Sequence, residues 1–179
     1  MIQSLDQFFR QARESVAIFD AWVATLVPPA IADLSSEAPS VAKADHLCYK
    51  CGTTDEFEAI RALFEVDCAF VYQSIISNRR IAIIKFSTSI PSSLGDIWFL
   101  ELSDQKPDGS QESGFDHVEM YPTGGTMDAL AIDLEKKGVT VEKVVRPHHT
   151  TYDVVVQGTF KVRIEPDALV EKIKRDEMR

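Results

Sequence analysis

The stretch Asp45-His46-Leu47-Cys48-Tyr49-Lys50, followed by the turn residues Gly52-Thr53-Thr54-Asp55, returns in altered form further along the chain. Asp116-His117-Val118-Glu119-Met120-Tyr121 opens the same way and runs into Gly124-Gly125-Thr126-Met127-Asp128. In both places a strand-like run meets a turn, and the turn leads into a helical pattern. These helices are expected over Glu56 to Phe64 and over Ala129 to Lys137, the second ending at Gly138, a residue suited to a helix C-cap. A pattern that recurs at this spacing is read first, because it sets the architecture.

Three strand-like runs follow each helix. In the first copy they are Ala69 to Ile76, Ile81 to Phe86 and Ile97 to Leu102. Ser77-Asn78-Arg79 makes a hairpin turn between the first two, with Asn78 able to take a positive φ. In the second copy the runs are Val139 to Val145, Tyr152 to Val156 and Phe160 to Ile164, with Gln157-Gly158-Thr159 as the hairpin turn. The endings are alike: Leu100-Glu101-Leu102-Ser103-Asp104 against Ile164-Glu165-Pro166-Asp167. The expected fold is α+β: two paired βαβββ modules, about 44–103 and 115–166, forming a cupped mixed sheet, joined by the polar loop Ser103 to Gly114. A short C-terminal helix completes a two-module domain of residues 41–179.

Residues 1–40 read as a helical segment packed on that domain. Leu5, Phe8, Phe9, Ala12, Val16, Phe19, Val23 and Leu26 recur at helical spacing, predicting an amphipathic helix over about 4–27 that Pro28-Pro29 stops. Ala30 to Leu34 can add a turn before the polar stretch Ser35 to Ser40. The aromatic face made by Phe8, Phe9, Phe19 and Trp22 also suits a partner or dimerisation helix.

Length and composition agree with one globular unit. The chain has 179 residues, 45% hydrophobic and 26% charged, enough to bury a core. Its net charge of −9 repels phosphate backbones, so no nucleic-acid partner is expected. No apolar run has the length of a membrane helix, and no signal peptide opens the chain, so no membrane partner and a cytoplasmic location are expected. Three cysteines, Cys48, Cys51 and Cys68, are too few for a disulfide framework.

The order of elements resembles the vicinal oxygen chelate superfamily, the glyoxalase, bleomycin-resistance and dioxygenase group. Within it, Ala44-Asp45-His46, Asn78-Arg79-Arg80-Ile81, Leu100-Glu101-Leu102, Asp116-His117-Val118-Glu119 and Arg163-Ile164-Glu165-Pro166 look most like YecM-like proteins. The resemblance covers roughly residues 40 to 170, and the leading helix fits it as well. It implies a divalent metal held by the first and last strands of each module. By position, the implied ligands are His46, Glu101, His117 and Glu165.

The residue chemistry is compatible with that implication. Imidazole and carboxylate together suit zinc, nickel, iron or manganese. Side chains alternate along a strand, so His46 is expected to point with Cys48, His117 with Glu119 and Tyr121, Glu101 with Phe99, and Glu165 with Arg163 and Lys161. Asp45, Leu47 and Tyr49 are expected to point the other way. A carboxylate in an apolar run such as Ile97-Trp98-Phe99-Leu100-Glu101-Leu102 is costly to bury without a partner, which a metal would be.

Other candidates carry less. Cys48 and Cys51 form a C-x-x-C spacing, but on a strand the two thiols face opposite sides. His148-His149 reads as a surface loop or a pocket rim. Arg80, Lys85 and Tyr121 are candidate substrate contacts, the first two for an anionic group. Gly124-Gly125 lacks the pattern of a phosphate loop.

Two functions from different classes fit these residues. One is a metal-dependent enzyme acting on a small oxygenated substrate, by isomerase, epimerase or dioxygenase chemistry, with Glu165 or Glu119 as the proton-transferring base. The other is a binding protein that sequesters a small molecule without turnover. Either a monomer or a homodimer suits a site built from paired modules.

Overall fold

The computed structural model describes residues 2–26, 42–66, 68, 70–76, 78–146 and 149–177. Pro28-Pro29, the turn expected over Ala30 to Leu34, the polar stretch after it, Ser77 and His148 lie outside the described residues. Helix α1 (Leu5–Leu26) precedes the first module, which consists of β1 (Ala42–Lys50), α2 (Thr54–Phe64), β2 (Phe70–Ile76), β3 (Arg79–Ile90) and β4 (Ile97–Ser103). The second module is β5 (Gly114–Pro122), α3 (Met127–Lys136), β6 (Glu142–Val145), β7 (Thr150–Gln157) and β8 (Phe160–Ile164). Helix α4 (Leu169–Glu177) follows.

Eight strands form one mixed sheet in the order β2-β3-β4-β1-β5-β8-β7-β6. The order reads the same from either edge once each strand is exchanged for its counterpart in the other module. At the centre, β1 and β5 run antiparallel, while each is parallel to the last strand of its own module. The repeat seen in the sequence is therefore a pseudo-twofold in space, and its axis passes between the two histidine-bearing strands.

Local chemistry explains the matching helices. Thr53 and Thr126 are both extended N-caps whose hydroxyls accept from the backbone N–H three residues on, of Glu56 and Ala129, each at 3.1 Å. Gly138 follows α3 with φ +82°, the left-handed conformation that ends a helix. Asn78 takes φ +58° in the β2–β3 turn. The hairpin strand β3 reaches Ile90, longer than the run Ile81 to Phe86 suggested, because Ser87-Thr88-Ser89 continue the extended chain to a second pairing with Ile97.

Strand alternation divides the molecule into two faces. Leu47, Tyr49, Leu100, Leu102, Val118, Met120, Val162 and Ile164 enter the main core with residues of α1, α2 and α3. Phe8 is its aromatic hub, fully buried against Phe9, Tyr49, Phe64 and Phe115 at centroid distances of 5.0–6.1 Å. The helical stripe of α1 is thus packed on the fold. On the opposite face lie His46, Cys48, Glu101, His117 and Glu119. There Ile81 and Ile83 form a small separate cluster with Leu169 and Ile173 of α4.

Candidate metal centre

Two β-bulges shape the site. Between β1 and β5 the register passes from Ala44↔Met120 to His46↔Glu119, leaving Asp45 as an extra residue on β1. It then passes from Cys48↔His117 to Tyr49↔Phe115, leaving Asp116 as the extra residue on β5. A bulge interrupts simple alternation and re-aims the side chain it carries. Asp45 was expected to point away from His46, and the bulge reverses that: its Oδ1 lies 2.7 Å from His46 Nδ1. Asp116 Oδ2 lies 2.8 Å from His117 Nδ1 in the same way. With a carboxylate as partner, Nδ1 carries a hydrogen in each ring, so Nε2 is the nitrogen that offers a lone pair to a ligand once it is deprotonated.

The two Nε2 atoms are directed into one region. The rings are 6.2 Å apart, and both residues are buried. His46 Nε2 is 3.5 Å from Glu119 Oε2 and 4.0 Å from Glu101 Oε2. Ligand atoms from His46, His117 and Glu119 all lie within 4.8 Å of one another. His46 Nε2, His117 Nε2 and Glu119 Oε1 are buried with no hydrogen-bond partner. An unpaired buried polar group costs about 1–3 kcal/mol, so three aimed at one spot form a cluster that a cation would satisfy. Two imidazoles and a carboxylate gathered in this way are a donor set that suits a divalent transition ion.

His46, His117 and Glu119 converge, with Glu101 beside them, its Oε1 accepting from Cys48 Sγ at 3.4 Å. Glu165 is buried just past the end of β8, with Oε1 3.3 Å from Lys172 Nζ of α4. The register makes Arg163, not Glu165, the spatial counterpart of Glu101. Glu101 lies two residues beyond the partner of His46, and Arg163 two beyond the partner of His117. Tyr121 sits on β5 two residues past Glu119, half-buried, its hydroxyl pKa raised by burial and by Asp45. Lys85 is exposed, its Nζ 5.7 Å over the Trp98 ring. Arg80 is on the helix side of the sheet, bonded to Glu58 and Asp104 and lying over the Phe57 ring. Cys48 faces the site and Cys51 the main core, as a strand requires. His149 is exposed.

Electrostatics set the two histidines apart. Burial alone would lower the pKa of His46, but the carboxylates of Glu119, Asp45 and Glu101 outweigh it and lift it to about 9. His117 falls to about 4, because burial and the Arg163 guanidinium oppose a second positive charge. Burial raises Glu119 to about 8, with the His46 imidazole working against the rise. Asp153, buried beneath this face, takes both forks of Arg163 at 2.9 Å and Lys161 at 3.0 Å.

Residues 30–166 match the family model described as YecM protein. The chain belongs to the YecM family. The solved structure described as structural-genomics protein EC4020 is similar across nearly the whole YecM-family chain, with TM-score 0.70, 18% identity, and 99% of this chain and 98% of that one covered. At that identity the likeness concerns the fold, and it includes the N-terminal helix. Methylmalonyl-CoA epimerase from Streptomyces coelicolor, in complex with 2-nitronate-propionyl-CoA, gives TM-score 0.47 at 18% identity over 72% of this chain and 100% of its own. The fosfomycin resistance protein FosX from Mesorhizobium loti gives 0.28 at 14% identity over 73% and 96%. No curated protein matches the sequence. The paired βαβββ architecture of this YecM-family chain is thus one it shares as a fold with that structural-genomics protein.

Asp45, Asp116, Arg163 and Lys172 carry weight at this site that the sequence reading did not assign. The repeated Asp-His pair was the available signal for the first two, since an acid beside each histidine is what orients a metal-binding imidazole. No comparable signal marked Arg163 or Lys172, whose places depend on register and on how α4 packs.

Proposed function

We propose that this protein is a divalent-metal-dependent enzyme acting on a small oxygenated substrate by proton transfer, as an isomerase or epimerase. The observation that carries the reading is the trio of buried atoms that make no hydrogen bond, His46 Nε2, His117 Nε2 and Glu119 Oε1, gathered on one face of the sheet. His46, His117 and Glu119 would hold the ion, with Glu101 next in reach. Bound there, the ion supplies Lewis-acid polarisation of substrate oxygens.

The chain's own groups do the rest. Asp45 and Asp116 hold the imidazoles in one tautomer and orientation. Glu165 is the base in this reading, carrying a proton from one face of a substrate carbon and returning it. Lys172 Nζ lies 3.3 Å from its Oε1. Leu169 and Ile173 of α4 shield that side from water. In this reading Glu119 takes the ligand place that the resemblance implied for Glu165, and Glu165 keeps the role of base.

Elemental analysis of the purified protein, then α-proton exchange into deuterated water across a panel of small 2-oxo and dicarbonyl compounds, tests this. Stoichiometric metal with exchange that His117→Ala abolishes is the expected result. Metal-independent binding of a small molecule without exchange would favour sequestration instead.

One observation favours a second reading. The tight trio contains two histidines and one carboxylate, a set that also suits non-haem iron oxygenases. Iron in the purified protein and substrate-dependent oxygen consumption would mark that chemistry.

A further inference from the structure

We infer that α4 is a lid fastened over the metal centre by its own cation, Lys172, and that a bound metal ion competes with the Lys172 ammonium for the carboxylates beneath it. The inference rests on the metal reading above and goes beyond it, because it concerns how the site is opened.

Three separate contacts tie α4 to the site face. Leu169 and Ile173 pack on Ile81 and Ile83, a cluster distinct from the main core. The backbone N–H of Leu169 donates to Asp45 Oδ2 at 2.7 Å, while the other oxygen of that carboxylate holds His46. Lys172 Nζ reaches Glu165 Oε1 at 3.3 Å, and its side chain is only 29% exposed. Its charge also acts on Glu119 and Glu101.

Glu101, Glu119 and Glu165 share this face, and carboxylates brought together in a partly buried space repel one another. Lys172 is placed to relieve that repulsion. A divalent ion at His46, His117 and Glu119 would relieve it more strongly, and two cations a few ångströms apart repel. Metal loading therefore weakens the Lys172 fastening and leaves the apolar packing of Leu169 and Ile173 and the Asp45 contact to hold α4. The site then opens to a substrate after the metal is in place, not before. Asp45 joins the two events, since one carboxylate orients His46 and caps the start of α4.

Titration calorimetry of the whole chain with Mn²⁺ and with Zn²⁺ at neutral pH tests this. Lys172→Met is expected to bind either ion about tenfold more tightly than wild type, because the competing charge is gone, and Lys172→Arg is expected to match wild type. Equal or weaker binding by Lys172→Met overturns the inference. Hydrogen exchange on the wild-type protein gives an independent readout should that variant fold poorly. Amides of residues 169–177 are expected to exchange faster at saturating metal, and unchanged or slower exchange overturns the lid. Failure of the wild type to bind either ion would remove the metal reading itself, and this inference with it.

Discussion

Asp45 and Asp116 occupy matching bulges in the two central strands, and each bonds the Nδ1 of the histidine that follows it. An ordinary strand would send these carboxylates to the helix face, out of reach of the imidazoles. The extra residue on each strand is what brings acid and histidine together, and it leaves both Nε2 atoms free on the same side. The repeat thus carries its own device for orienting a ligand.

Removing one of those acids tests the device without touching a ligand. Asp116→Ala is expected to lower metal affinity about 10–100-fold with the fold retained, the usual consequence of losing the partner that orients a ligating histidine. Asp116 is the better choice, since Asp45 also anchors α4. Calorimetric metal titration checks it, and unchanged affinity would show that packing alone fixes the ring.

The two buried glutamates are expected to separate by role. Glu119→Gln should reduce metal affinity by about tenfold or more, because a neutral amide replaces a ligating carboxylate. Glu165→Gln should leave affinity within a small factor and abolish proton exchange. The opposite ranking in the same titration would return Glu165 to the ligand set. His46→Ala and His117→Ala should each cost far more affinity than Cys48→Ala or His149→Ala.

Proton linkage gives a prediction with a definite sign. In the metal-free fold His46 titrates near 9, above its ordinary 6.5, and Glu119 near 8, above its ordinary 4.5. As a pair they hold proton in the folded chain that the unfolded chain has released, so stability falls as pH rises through this range. The metal-free Tm is expected to drop by on the order of 5 °C between neutral pH and the low nines. Metal should restore it increasingly over the same range, because binding expels those protons. A metal-free Tm that climbs from neutral pH to the low nines would show that the His46–Glu119 pair is not the proton store described.

The aromatic hub makes a stability prediction away from the site. Phe8→Ala is expected to cost about 3–5 kcal/mol in denaturant unfolding, in the range for a fully buried aromatic. A cost below about 1 kcal/mol would mean that α1 docks loosely despite its buried stripe.

The parts of this fold that were legible in the sequence are those written in short-range patterns. The Asp-His openings, the Asn78 and Gly158 turns and the stripe from Phe8 to Val23 each depend on residues close together in the chain. What was hidden depends on how strands lie beside one another. The endings around Glu101 and Glu165 look equivalent as text, yet the ladder pairs Arg163 with the position that Glu101 fills in the other half. A one-residue bulge leaves no mark in a single strand, so Asp45 was assigned to the wrong side. Arg80 looked available as an anion contact because the acids that occupy it, Glu58 and Asp104, come from α2 and from the loop after β4.

The seam between β1 and β5 has a consequence for how the protein comes into being. His46 emerges with the first half of the chain, whereas Glu119 and His117 arrive only with the second. On the metal reading proposed above, a nascent chain stalled in the loop after β4 would carry only His46 of the trio and would have little power to retain an ion. On that reading, cation capture would double as a certificate of completed synthesis: only a molecule whose halves have met along the seam would keep what it picks up.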